Sequence, residues 1–332
     1  MKPSLETSSQ RPDLCLWCHS QGPTPSQRFK SEDWKIWACA KCGTEFVWPM
    51  PSRAELAPYY EYSRYAAPSY DRNEGRRPEV GSEFSQLLRR VERCGVKRGR
   101  LLDVGCSVGN YLRVVSGLGW EATGIELDSE TAERAARSTG LKVLSGDGLD
   151  VLEPGERFDL ILMSHWLEHI VNPRHQLELA IRHIASPQGG ILIRVPNAAS
   201  TAAKVLGGAW SWFYPPVHLS YFNARSFSTL ARQMGQSVPL LFSRRGDAQS
   251  LPVELLMGGT RSLVRVVTGR DPLSGKPSGD PLFGRLHEHH ERRFNLIETL
   301  DSMVPASRFF AAREDSELVV LLMSEGERTS RG

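Results

Sequence analysis

The chain has 332 residues, 40% hydrophobic and 24% charged, proportions that suit one substantial globular core and leave room for a smaller module. No run approaches the roughly eighteen apolar residues of a bilayer span, and Met1 to Gln10 is polar, without the apolar centre of a signal peptide. The net charge of +3 comes with short, scattered basic pairs such as Arg89-Arg90, Arg244-Arg245 and Arg292-Arg293, not the concentrated cationic face that nucleic acid requires. These features lead to the expectation of a cytoplasmic protein with reduced cysteines, no membrane contact and no nucleic-acid partner.

Near the N-terminus, four of the six cysteines form two knuckles, Cys15-Leu-Trp-Cys18 and Cys39-Ala-Lys-Cys42. This is the spacing of a structural four-thiolate zinc site. A segment of this size buries too little apolar surface to fold alone, and metal coordination supplies the missing free energy. Two disulfides or a redox-active pair fit a reducing compartment less well. Four protein ligands complete a tetrahedron, so His19 is a bystander and the metal is structural. Trp48-Pro-Met-Pro-Ser52 closes this ribbon, giving an expected module over 1–52. A stretch with Tyr59, Tyr60, Tyr62, Tyr65 and Tyr70 follows as a candidate lid. Phe84, Leu87, Leu88 and Val91 then mark an amphipathic helix over 83–93, so that 53–98 reads as linker and lead-in.

From residue 99 strand and helix signals alternate. Strands are expected at 100–104, 121–125, 142–144, 158–163, 190–195 and 238–242, with helices at 110–117, 129–138, 176–185 and 224–234. The last strand falls at 317–323, which leaves 244–312 as an insertion with a helix near 286–303. The alternation implies an α/β fold with a doubly wound parallel sheet.

Leu101-Leu-Asp103-Val-Gly105-Cys106-Ser107-Val-Gly109 lies where a strand turns into a helix. Glycines there let the backbone approach a ligand whose anionic end faces helix N–H groups. Gly124-Ile-Glu126 ends the next strand with an acid able to accept from both ribose hydroxyls, and Gly146-Asp147-Gly148 supplies an acceptor for an adenine amino group. Together these motifs specify a nucleoside-containing cofactor. In order, they resemble the class I S-adenosylmethionine-dependent methyltransferases, over roughly Arg100 to Phe242 and the final strand, which implies a Rossmann-like sheet. The resemblance carries Asp103, Gly105, Cys106, Ser107 and Gly109 to the cofactor loop, Glu126 to the ribose, Leu127 to an apolar adenine contact and Asp147 to the adenine amino group, with Gly148 and Ser164 also expected to bind the cofactor. It departs at Ser107, where glycine is usual; that implies either a displaced loop or an added hydrogen bond from Ser107. An NAD-type fingerprint fails, because residues 105, 107 and 110 are Gly, Ser and Asn.

Phe158 to Pro173 resembles the fourth strand and turn of the same family, including Leu167-Glu168-His169. In a helical segment His165, Glu168 and His169 would project from one side. His218, in Pro215-Pro-Val-His-Leu-Ser-Tyr-Phe222, matches a histidine that relatives carry after the fifth strand. His165 or His169 is expected as general base, oriented by Glu168, with His218 closing the pocket. The alternative is that Glu168 and His169 only cap and pack the loop. His-x-x-Glu-His also occurs in zinc peptidases, but on a long helix of another fold. Ubiquinone-pathway and small-RNA 3′-end methyltransferases carry Glu-x-x-Glu-His and can use a divalent ion. His165 in place of the first acid weakens magnesium while leaving a softer second metal open. Trp210, Trp212, Phe213 and Tyr214 read equally as pocket lining or as core.

A cysteine ribbon, Pro-x-Pro, Tyr59-Tyr60 and this core together resemble bacterial zinc-ribbon methyltransferases of the sugar and secondary-metabolite type. The resemblance implies methylation of an oxygen or carbon on a small molecule. RNA methylation and a non-catalytic cofactor-binding module stand as alternatives, and a homodimer is compatible with the sequence.

Overall fold

A computed structural model describes residues 11–31, 34–56, 78–210, 212–244 and 316–324. The expected tyrosine-rich lid and, beyond Arg244, the expected insertion with its helix lie outside the described residues. In chain order the strands are β1 (Thr24–Pro25), β2 (Ile36–Ala38), β3 (Glu45–Val47), β4 (Arg100–Val104), β5 (Glu121–Glu126), β6 (Lys142–Ser145), β7 (Leu160–Ser164), β8 (Gly190–Pro196), β9 (Ser220–Tyr221), β10 (Gln236–Arg244) and β11 (Glu317–Ser324). The helices are α1 (Pro78–Arg93), α2 (Asn110–Gly117), α3 (Ser129–Thr139), α4 (Pro173–Arg182), α5 (Thr201–Leu206) and α6 (Ala224–Gln233).

The main sheet has the order β10-β11-β8-β7-β4-β5-β6. β8, β7, β4, β5 and β6 run parallel, while β11 is antiparallel to both β8 and β10. The chain winds from β4 outward to β6 and then returns to β7, so the strand order reverses between β4 and β7. Ligands of such sheets bind at the carboxyl ends of the strands beside that reversal.

Both faces of the sheet are buried, as parallel strands require. Leu101, Leu160, Leu162, Leu192, Val319 and Leu321 point to the face covered by α1 and α2. Leu102, Val104, Ile161, Met163, Ile191, Ile193 and Val320 point to the other, with Leu177 and Ala180 of α4, Phe227 and Leu230 of α6, and Cys15, Trp17 and Phe46 of the ribbon.

The helix starts follow their caps. The Asp128 side chain accepts from Thr131 N–H ahead of α3, and Gly140 closes that helix with φ +70°. Asn172 caps α4 with Pro173 behind it, so α4 begins three residues before the expected Gln176. Asn223 and Ser226 form a reciprocal capping box on α6.

A second, antiparallel sheet, β1-β2-β3-β9, was not foreseen. Its first three strands belong to the ribbon and its fourth lies beyond β8, so the ribbon is hydrogen-bonded into the core.

Candidate active site

In the ribbon, Cys15, Cys18, Cys39 and Cys42 are buried and free, with ligand atoms all within 4.8 Å of one another. Cys15 and Cys42 sulfurs are 3.7 Å apart, and Cys18 and Cys39 sulfurs 3.6 Å. A disulfide requires about 2.05 Å, whereas sulfurs held about 2.3 Å from a tetrahedral zinc lie about 3.8 Å apart. Hydrogen bonding to Cys39, with burial, pushes the Cys15 thiol far up, while the bond to Cys15 holds Cys39 far down. These residues fit a zinc ion.

The cofactor half gathers at the ends of β4, β5 and β6. Gly105 and Gly109 have φ of +73° and +81°, the left-handed region that glycine enters without penalty. Ser107 shares this conformation at φ +48°, so the loop keeps its turn with a serine in place. Ser107 N–H donates to Glu126 Oε2 at 2.9 Å, and Asp128 N–H to Oε1 at 3.2 Å. The ring of Trp166 packs against both Gly105 and Gly148, where an added Cβ would lie 2.4 and 3.0 Å from its atoms. The loop, Glu126 and the turn after β6 thus converge. Asp147, half-exposed, pairs with Arg53 from the short turn after the ribbon, and Leu127 is 49% exposed at the mouth.

Asp103 is buried, and its Oδ2 has no hydrogen-bond partner among the described residues. Burial, then the neighbouring Glu126, pushes its carboxyl up to about 7, against the pull of Arg194. Burial likewise raises Glu126, opposed by the backbone N–H groups of Asp128 and Ser107. Two acids held close in a buried pocket favour a cationic ligand. Cys106 is buried beside them and its thiol is raised mainly by desolvation.

The reaction half assembles around the turn after β7. The expected single helical face is not formed: only Leu167–His169 make a 3-10 turn, and His165 precedes it with φ +50°. The cluster converges by another route. His165 Nε2 meets Glu317 Oε1 at 2.9 Å and its Nδ1 faces Glu168 Oε1 at 3.6 Å. Burial drives the His165 ring down, but the two carboxylates outweigh it and hold it protonated up to about 9. Glu168 is buried with neither oxygen hydrogen-bonded among the described residues. Burial pushes it up, and the neighbouring His165 foremost, with the other imidazoles of the cluster, overcomes this and leaves it below the ordinary carboxylate range. His169 Nδ1 lies 2.9 Å from Val217 O, and His218 Nδ1 lies 2.8 Å from Trp212 O. A carbonyl only accepts, so both rings carry a proton on Nδ1. Burial and then His169 push His218 down to about 3. Glu168, His169 and His218 bring ligand-capable atoms within 4.8 Å of one another.

Trp212 stacks on two imidazoles, with centroids 5.4 Å from His165 and 5.8 Å from His218, each at 14° to the indole. Trp210 and Phe213 instead stack on Phe29 in the interior, so the aromatic run divides between site and core.

Residues that sequence reasoning missed complete this half. Arg194, 2% exposed on β8, pairs with Glu317 at 2.7 Å, bonds the Tyr111 hydroxyl and donates to Ser164 Oγ at 3.2 Å. A charge within Ile191-Leu-Ile-Arg-Val195 was the available signal, because apolar strands bury charges only when these are paired.

Residues 74–238 match the family model described as "Methyltransferase domain". The chain is 29% identical over 119 residues to a ubiquinone biosynthesis O-methyltransferase of Cereibacter sphaeroides, covering 33% of this chain and 47% of that protein. It is 24% identical over 217 residues to the dTDP-3-amino-3,6-dideoxy-alpha-D-glucopyranose N,N-dimethyltransferase of Streptomyces fradiae, covering 63% and 76%. The chain thus spans about half the length of the first of these relatives. A solved S-adenosylmethionine-dependent methyltransferase from Archaeoglobus fulgidus is similar at 16% identity and a TM-score of 0.45, over 74% of this chain and 94% of that one. With the matched segment running from the α1 region to β10, the chain carries a methyltransferase domain on the Rossmann-like sheet of the S-adenosylmethionine-dependent kind.

Proposed function

We propose that this protein transfers the methyl group of S-adenosylmethionine to an oxygen or carbon of a small-molecule acceptor of the sugar or secondary-metabolite kind. The observation that carries the reading is the meeting of two halves at the β4–β7 reversal, with Trp166 packed on Gly105 and Gly148 and its neighbour His165 inside the histidine cluster. The relatives' names, which speak of ubiquinone biosynthesis and of a dTDP-linked amino sugar, support a small acceptor.

When bound, the donor supplies an electrophilic methyl group on a cationic sulfur. Glu126 would accept from the ribose, Asp147 from the adenine amino group on release of Arg53, and Asp103 would face the cationic amino-acid end. His169, whose Nδ1–H is held by the Val217 carbonyl, would act as the base through Nε2, and Glu168 would stabilise the imidazolium it becomes. His165, clamped between two carboxylates, fixes Glu168, and His218 closes the pocket through Trp212. Zinc on the four cysteines holds the ribbon over 1–52, ahead of the lead-in over 53–98 and a transfer domain from 99.

A second reading has a specific observation in its favour. Both His169 and His218 donate Nδ1–H to backbone carbonyls, as metal-bound histidines commonly do, and the Glu168 oxygens are otherwise without hydrogen bonds among the described residues. Two imidazoles and one carboxylate suit a divalent transition metal better than magnesium. The test is calorimetry with S-adenosylmethionine, followed by detection of its demethylated product against candidate acceptors, with and without a chelator too weak to strip the ribbon. Absence of donor affinity ends the first reading. Chelator-insensitive turnover ends the second.

A further inference from the structure

The cysteine ribbon and the histidine cluster are joined by a single run of backbone. Val47, at the end of β3, donates its N–H to Leu219 O at 2.9 Å, and Leu219 donates its own N–H to Glu168 O at 2.7 Å. β3 continues the ladder by pairing Phe46 with Ser220 and Glu45 with Tyr221. His218, the residue before Leu219, therefore lies two residues ahead of β9, the strand that pairs with β3 of the ribbon.

The knuckles grip the same segment from behind. Cys42 Sγ meets Thr44 Oγ1 at 3.1 Å, and Thr44 Oγ1 donates to Ser226 Oγ at 2.9 Å. Asn223 Nδ2 donates to Gly43 O at 2.7 Å, and Trp17 Nε1 to Ser226 O at 2.8 Å. The Trp17 ring packs on Phe222 and Phe227, with centroids 4.7 and 5.3 Å away. All four cysteines and Trp17 are buried against the core. Among the described residues no hydrogen bond joins 11–50 to Asp103, Glu126 or Asp147.

We propose that the ribbon is a positioning element for methyl transfer: metal on Cys15, Cys18, Cys39 and Cys42 holds β3, and β3 sets the backbone of Leu219 and Glu168, so that turnover depends on ribbon metal while donor binding does not. The proposal rests on reading the histidine cluster as the transfer site.

The test compares Cys39→Ser and Thr44→Val with the parent protein by zinc content, amide exchange, donor calorimetry and turnover. Cys39→Ser is expected to lose zinc and to speed exchange at the Leu219 amide by about tenfold or more, with donor Kd unchanged within about threefold and kcat lower by about a hundredfold. Thr44→Val keeps the zinc and gives the same pattern at severalfold size, so it decides the matter if Cys39→Ser does not fold. Unchanged Leu219 protection in both variants, or donor affinity falling in step with kcat, overturns the proposal. A parent protein that binds no donor defeats the methyltransferase reading instead, and the exchange measurement still decides whether the ribbon sets the Leu219–Glu168 backbone.

Discussion

The two halves of the site are built on different principles. The cofactor half is local: each acid or glycine sits at the end of a strand, and the parallel order of β4, β5 and β6 brings those ends together. The reaction half is a meeting of distant segments, the turn after β7, the aromatic run before β9, Glu317 on β11 and, behind them, the ribbon. A half made of strand ends tolerates change elsewhere, whereas one made of remote segments depends on all of them.

The largest expected effect falls on the second half alone. His169→Ala should lower kcat by about two to four powers of ten while leaving donor Kd untouched, as read by steady-state kinetics beside calorimetry; parent-like turnover removes His169 from the proton path. Glu317→Ala leaves Arg194 and His165 without their shared counter-charge, a loss of about 3–5 kcal/mol for a buried pair that urea unfolding will report. Stability equal to the parent would mean that the last strand is dispensable to this half. Glu126→Ala makes the complementary change, weakening donor binding by about 2–4 kcal/mol through lost charge-assisted ribose bonds while kcat at saturating donor stays within severalfold of the parent.

Smaller still is a pH effect confined to the cofactor half. Asp103 is raised to about 7 by burial. Its contribution to apo stability is therefore full below its unfolded value and is lost as pH rises through about 7. Donor binding takes the opposite sign: affinity should rise by up to about tenfold per pH unit as Asp103 deprotonates, levelling above about 7. Asp103→Asn should flatten the calorimetric profile, and a profile equally steep in that variant assigns the titration elsewhere. Ser107→Gly should change stability by no more than about 1 kcal/mol, since relief of the left-handed serine is offset by glycine's greater chain entropy.

Legibility in the sequence follows the same division. The motifs at Asp103–Gly109, Glu126 and Asp147 are contiguous strings at strand ends, and the strand order could be anticipated because apolar runs alternate with amphipathic stretches. Trp166 was invisible as a contact of Gly105 and Gly148, because nothing in its own neighbourhood shows which glycines it will cover. The histidines were legible as residues but not as geometry: i, i+3 spacing suggested a helix, yet His165 adopts φ +50° and reaches Glu317 instead. The pairing of β3 with β9 was hidden because two- and three-residue strands carry no periodicity, and their partner lies far along the chain.

The position of Glu317 on β11 has a consequence for synthesis. The chain from β4 to β8 can wind as it leaves the ribosome, ahead of the two antiparallel strands. Arg194 is already in β8 by then, and the carboxylate that neutralises it inside the sheet emerges only after residues 245–316. A nascent chain halted before β11 would hold this interior cation without that acid, so the charge balance inside the sheet is completed only when the last described strand is made.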